Sequence, residues 1–240
     1  MPRAKEGAME GFRPPAFIET DAMTFRPFVA DDAPALYETM LGDEKQTEWL
    51  SLLRHRSVGD SLRYIDRKQR EWAAGTGFTW ALADRASGTV VASIELHAGP
   101  PRAELGVITS RFATSRQRRA GLAALLKLIR WLLAQPQLCR VHAYCAPESP
   151  AASTMRRLGF ALEGRLTNWL WLPNTAAGVG DALLFAICRP ASAMSAEQDG
   201  TETVMQAERR RRYDRGAREA HAARLERLGG YAPTPALPLP

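Results

Sequence analysis

Cysteine is scarce in this sequence. The chain of 240 residues holds three, Cys139, Cys145 and Cys188, odd in number, widely spaced and set among apolar residues. That argues against a disulfide framework, no cluster has zinc-ligand spacing, and the thiols are expected to be reduced and buried. Long apolar runs are missing as well. No stretch reaches the roughly 18 residues a membrane span needs, and the opening MPRAKEGAMEGFRPP lacks the apolar segment of a secretory signal, so a cytoplasmic protein with no membrane partner is expected. Acidic residues fall short of basic ones, 26 against 32, leaving a net charge of +6. An excess of that size favours acidic partners, whether a phosphorylated cofactor, nucleic acid or an acidic protein face, without choosing among them.

What is present in strength is the stretch 116–135, RQRRAGLAALLKLIRWLLAQ. Leu122, Leu125, Leu126, Ile129 and Leu133 recur at helical spacing and predict a helix lying on a sheet. Ahead of them Arg118, Arg119, Ala120, Gly121, Leu122 and Ala123 form an Arg-x-x-Gly-x-Ala series. Small residues there would let an anion approach backbone N–H groups at the positive end of the helix, with Arg116, Arg118 and Arg119 adding charge. An ordinary basic helix start would read the same way, so context has to decide.

Residues 1–21 lack periodicity and read as a loose arm. Thr24 to Val29 alternates as a strand with Pro27 at an edge, and Asp31 and Asp32 signal a helix start. A second helix is predicted over 58–74, with Leu62, Ile65, Gln69 and Trp72 on one side. Between the helices lie the apolar Trp49, Leu50, Leu52 and Leu53. From Phe78 the period becomes two, and three short strands with turns at Ser87-Gly88 and Gly99-Pro100 form an antiparallel meander. A strand over 140–146, a short helix ended by Gly159, and strands over 160–166 and 182–189 follow. The expected fold is a mixed α/β domain over 22–190, with a largely antiparallel central sheet of about seven strands flanked by helices.

With Arg118-x-x-Gly121-x-Ala123 after a strand, Met155-Arg156-Arg157-Leu158-Gly159-Phe160, Glu163-Gly164-Arg165-Leu166 and Asp181 in place, the chain resembles the GCN5-related N-acetyltransferase (GNAT) superfamily, and within it the bacterial ribosomal-protein N-terminal acetyltransferases. The resemblance implies a V-shaped opening between two parallel strands, ending here near Ile108 and Tyr144, that holds acetyl-CoA. Unpaired backbone groups of Val107, Ile108 and Thr109 would bond its pantetheine arm, and the cradle its pyrophosphate. Two departures stand out. Glu148 and Ala151 occupy the places of the family's Asn-x-x-Ser, and extra residues within SRFATSRQ separate strand from cradle.

Acetyl transfer to an amine needs a base, a stabilised oxyanion and a proton for the departing thiolate. A backbone N–H of Val107 or Ile108 is the candidate oxyanion donor. Glu104 is the candidate base, with Glu95 and His97 as competitors. Tyr144, Cys145 and Ser149 lie near the expected thiol, and Tyr144 has a suitable kind of pKa for an acid. Cys145 as an acyl-carrying nucleophile is the alternative to direct transfer in a ternary complex, but no activating neighbour is evident.

Beyond Pro190 a linker, a charged helix over 204–228 and a Pro-rich end are expected. The arginines of ERRRRYDRGAREAHAARLER could contact RNA, the ribosome or a second subunit, although interleaved acids favour a solvated helix. Three functions are therefore open: an acetyl-CoA-dependent N-acetyltransferase acting on a primary amine of a protein N-terminus or small molecule, a non-catalytic acyl-CoA-binding or partner-binding module, and a basic-tail RNA or ribosome binder. The first accounts for the whole strand and helix order.

Overall fold

The computed structural model describes residues 12–189. The expectations for the tail over 191–240 lie outside the described residues. The sheet has eight strands in the order β1-β2-β3-β4-β5-β6-β8-β7. They are β1 Ile18–Glu19, β2 Met23–Pro27, β3 Phe78–Asp84, β4 Val90–Gly99, β5 Arg102–Thr109, β6 Arg140–Cys145, β7 Ala161–Leu172 and β8 Gly178–Cys188. Every neighbouring pair is antiparallel except β5 and β6. Pro27 lies beyond the reach of β1, which pairs only with Thr24 and Phe25.

Two helical layers cover the sheet. Ala30–Asp32 forms a 3-10 turn that runs into α1, Ala33–Leu36, and a π-helical turn over Tyr37–Leu41, then α2, Glu44–Thr47. Asp32 fixes this entry: its carboxylate accepts from the Val29 N–H at 2.9 Å and from Arg26 at 2.7 and 2.8 Å. The helix α3, Val58–Ala74, begins at a capping box in which Ser57 and Asp60 satisfy each other's backbone N–H groups, and it ends at Gly75 with φ of 71°. Its buried side carries Ser61, Tyr64, Ile65 and Lys68, whereas Leu62 is exposed. The predicted Leu62 face is thus turned by about one residue, because Lys68 goes inward to meet Glu95.

On the other face lie α4, Ser115–Leu133, and α5, Ala151–Arg157. The buried stripe of α4 is Ala124, Leu125, Leu128, Ile129 and Leu132; Leu122, Leu126 and Leu133 only flank it. The main core joins this stripe to Trp80, Ile94, Leu96, Leu105, Val141 and Phe185, and a second cluster under α1 and α3 contains Phe28, Leu36, Met40, Ile65 and Ala81.

Three segments differ from expectation. The first is the arm. Phe12 packs on the core, Arg13 donates to the carbonyls of Trp72 and Ala73 at 3.3 and 3.0 Å, and the Trp80 indole donates to the Pro15 carbonyl at 3.1 Å. Second, strands β7 and β8 run on through most of 167–180, so Trp169 and Trp171 are strand residues rather than loop residues. A register shift between Leu166 and Leu170, with Asn168 at φ of 51°, breaks the alternation there. Asp181 holds that irregularity by accepting from Arg165 at 2.7 Å and from the Asn168 N–H at 2.9 Å. Third, Cys188 is exposed; all three thiols are free, and of them only Cys145 is fully buried.

Candidate active site

Pairing between β5 and β6 covers Arg102↔Arg140, Ala103↔Val141 and Glu104↔His142, then stops. Both strands continue, so from Leu105 onward they diverge and leave a wedge open towards their C-terminal ends. The ladder with β4 tells which β5 groups face it. The Ser110 N–H donates to the Val91 carbonyl at 2.8 Å, and the β4/β5 register runs without a bulge. Alternation then points the backbone groups of Ile108, Gly106 and Glu104 at β4, and those of Leu105, Val107 and Thr109 into the wedge. Of the three predicted positions, Val107 and Thr109 present their N–H and C=O groups to the opening. Ile108 spends its own on Ser93 across the ladder, and Leu105, which the sequence did not single out, gives its N–H to His142 as the last bond of the β5–β6 ladder and leaves only its carbonyl to the opening.

The side chains of Glu104 and His142 stand on the α3 side of the sheet, since Ala103, Leu105, Val141 and Ala143 fill the opposite core. Register aligns His97, Glu104 and His142 across three adjacent strands. Glu104 is half-exposed with its carboxylate 3.8 Å from Nε2 of the buried His142. Glu95 does not compete for the same place: it accepts from His97 Nε2 at 2.7 Å and pairs with the buried Lys68. Burial pushes the Glu95 carboxyl up, but the hydrogen bonds from His97 and Lys68 and the Lys68 charge outweigh it and hold it at about 2. The bond to Glu95 raises the His97 imidazole against the effect of burial. Burial lowers that of His142, opposed by Glu104.

Tyr144 continues the row. Its ring meets His142 edge-on at 5.5 Å and Trp169 at 5.6 Å. Burial and then Glu104 raise its phenol, which keeps it protonated. Ser149 sits apart from this row in role: its hydroxyl accepts from the Ala151 N–H at 3.2 Å at the start of α5. Cys145 points to the other face, where burial raises its thiol and Arg156 only partly offsets that. His142 is the residue sequence reasoning missed. Its one signal is a position two before Tyr144 in a strand, hence on the same face.

The predicted phosphate cradle lies differently from expectation. Thr114 and Gln117 form a capping box, so α4 starts at Ser115 and the Arg118 N–H already bonds the Thr114 carbonyl. Arg119, Ala120, Gly121, Leu122 and Ala123 are therefore inside the helix, with their N–H groups in its ladder. The donors left at the helix start are those of Ser115 and Arg116. A Cβ at Gly121 would sit 3.4 Å from a Leu82 methyl, an ordinary contact, so packing does not require glycine there. Arg116 pairs with the buried Asp84, and Arg118 donates to the carbonyls of Ala113 at 2.9 Å and Arg111 at 2.8 Å. Arg119 makes no ion pair among the described residues and is exposed.

A cavity of about 660 Å³ opens beyond the end of β5, lined by Asp43, Glu44 and Glu48 around α2, by Arg111, and by Asn174 and Thr175 at the β7–β8 turn. Asn174 ties its walls together, donating to the Thr47 and Leu52 carbonyls at 2.9 and 2.8 Å and accepting from the Arg54 N–H at 2.9 Å. Among the described residues no group of three or more His, Cys, Asp or Glu could hold a metal ion, and no helix is long and apolar enough to cross a membrane.

A mixed sheet parted between two parallel strands, with one helical layer on each face, is the fold of the acyl-CoA N-acyltransferases. Residues 22–161, more than half the chain, match the model of the family described as "Acetyltransferase (GNAT) domain", and the chain belongs to that family. No curated protein matches it. Similar solved structures include a ribosomal-protein-S5-alanine acetyltransferase from Vibrio fischeri, with TM-score 0.59 and 14% identity over 73% of this chain and 97% of that one. A ribosomal L7/L12 alpha-N-protein acetyltransferase, RimL, in complex with coenzyme A has TM-score 0.61 and 15% identity over 72% and 97%. The microcin C7 self-immunity acetyltransferase MccE, in complex with acetyl-CoA and AMP, has TM-score 0.61 and 17% identity over 73% and 97%. At these identities the likeness is one of fold.

Proposed function

We propose that this chain is an acetyl-CoA-dependent N-acetyltransferase that acetylates a primary amine by direct attack in a ternary complex. The observation that carries this reading is the end of β5–β6 pairing at Glu104 and His142, which leaves the Leu105 carbonyl and the backbone groups of Val107 and Thr109 without a strand partner. A pantetheine arm carries amides that can bond such an edge as another strand would. The pyrophosphate lies against the start of α4, on the Ser115 and Arg116 N–H groups, with the unpaired Arg119 as its counter-charge.

The acceptor is a protein N-terminus or a small amine, and it approaches through the cavity between α2 and the β7–β8 turn, where Lys45 and Arg111 offset Asp43 and Glu44, and Glu48 is the acid left to meet an ammonium. Glu104 takes a proton from that ammonium, and the neutral amine attacks the thioester carbonyl. The Val107 N–H, aimed into the wedge, stabilises the oxyanion. Collapse breaks the C–S bond, the thiolate takes a proton from a neighbouring acid, and the proton shed by the attacking nitrogen as the amide forms restores that acid. Tyr144 and Ser149 are the candidate sources; the phenol is the more acidic of the two, and the Ser149 hydroxyl, which accepts from the Ala151 N–H, keeps its own proton free to donate. The raised thiol of Cys145 on the opposite face speaks against an acyl-cysteine route.

Calorimetric titration of acetyl-CoA tests the cofactor. Saturable one-site binding is expected for the wild type, weakened several-fold in Arg119→Ala. Absence of binding to the folded wild type would refute the reading. Substitution at Gly121 is a poorer probe, because Gly121 lies inside α4 with its N–H in the helical ladder.

A further inference from the structure

Glu104 stands between two histidines in register, His97 on β4 and His142 on β6. Their surroundings push them apart. His97 is half-exposed and bonded to the ionised Glu95, which favours its charged form. His142 is 7% exposed, with Arg102 and Arg140 nearby, and burial favours its neutral form. A neutral imidazole has one N–H and one lone pair. The Glu104 carboxylate lies on the Nε2 side of His142 at 3.8 Å; Nδ1 is buried and makes no bond of full hydrogen-bond geometry among the described residues, although the Ala103 carbonyl is close enough to the ring to raise its pKa. An ionised carboxylate is a stronger acceptor than a carbonyl, so Glu104 favours the tautomer with its proton on Nε2, and shortening from 3.8 Å would make a donated hydrogen bond. An uncharged donor can aim a carboxylate without the loss of basicity that a neighbouring cation causes.

We propose that His142 is a positioning residue that holds the Glu104 carboxylate towards the open wedge through its Nε2–H. This rests on Glu104 being the base of the proposed reaction. The groups facing the pair are Arg102 on β5, Arg140 and Tyr144 on β6, His97 on β4 and Glu163 on β7, the last bonded to Arg140.

Two substitutions separate positioning from packing. His142→Phe keeps a ring against Tyr144 but removes the N–H, while His142→Gln keeps an N–H donor but removes the ring. Positioning predicts that kcat falls about tenfold or more in His142→Phe, with acetyl-CoA affinity unchanged, that the acid limb of the kcat/KM profile moves, and that His142→Gln recovers most of the loss. The reverse order, with Phe better than Gln and an unmoved limb, would overturn it. A second measurement does not depend on either variant folding or on an identified acceptor. NMR titration of the His142 imidazole should show its pKa falling further in Glu104→Gln, because the carboxylate that raises it is gone. An unchanged titration would also overturn the inference. Loss of acetylation in Glu104→Gln tests the underlying assignment separately.

Discussion

Val107 and Ile108 are neighbours in β5 with opposite backbone duties. The Val107 N–H points into the wedge and the Ile108 N–H into the ladder with β4. Proline has no N–H, so Val107→Pro is predicted to fold, since it removes no ladder bond, and to lose about 10²–10³-fold in kcat if that N–H meets the oxyanion. Ile108→Pro breaks the ladder and is predicted to lower the melting temperature markedly instead. Circular dichroism melts together with rates on the two variants distinguish these outcomes. Of the site, Glu104 and Tyr144 were legible as polar groups on strands. Leu105 and His142 were not, because their relevance depends on which strand lies beside β5 and where its pairing stops. Nothing local in RVHAYC states that His142 opposes a carboxylate nearly forty residues earlier.

Among the elements, the β7–β8 turn is closed on itself by Thr175 and tied to the segment 47–54 through Asn174. Asn174 makes three hydrogen bonds to backbone of the segment 47–54. Asn174→Ala strands those groups and is predicted to cost about 1–3 kcal/mol of stability. It should also raise the acceptor KM while acetyl-CoA affinity stays within twofold; equal weakening of both substrates would show that the turn does not shape the acceptor side alone. The bounds of α3 were legible from Ser57, Asp60 and Gly75, which carry their own capping chemistry. Its buried face was not, since an inward lysine contradicts hydropathy until Glu95 is seen opposite. In α4 the Thr114-x-x-Gln117 box announces an earlier start, and the glycine series that looked like a cradle lies after it. Thr114→Ala is predicted to cost about 0.5–2 kcal/mol, read by chemical denaturation.

At the scale of the molecule, the meander, the long helix and the alternation of elements made the mixed sheet legible, whereas the parted strands were expected only through family resemblance. Propensity says where a strand is but not where it leaves its neighbour. The charged row under α3 sets the response to pH. Glu95, with its folded pKa depressed, stabilises fully above its unfolded value and loses that contribution as pH falls towards about 2. Burial lowers His55 and His142, so from near 6.5 downward the unfolded chain binds protons that the fold resists, and stability falls in the same direction. His97, raised by Glu95, acts oppositely, and its contribution is lost as pH rises through its folded value. Denaturation midpoints across pH 3–8 are predicted to decline on the acid side. Glu95→Gln should lower stability at neutral pH by about 1.5–3 kcal/mol, because the buried Lys68 and His97 lose a charged partner and Lys68 keeps only Glu71; a loss within error of zero would mean that Glu71 alone suffices.

The measurement that bears most directly on the proposed activity is thiol release from acetyl-CoA by the full chain, across a panel of peptide N-termini and small amines, for wild type and Glu104→Gln. The predicted result is amine-dependent release with the wild type, falling about 10²–10⁴-fold in Glu104→Gln while acetyl-CoA affinity is kept. Tight acetyl-CoA binding with no amine-dependent release from the wild type, or equal rates for the two proteins, would contradict a catalytic wedge built around Glu104.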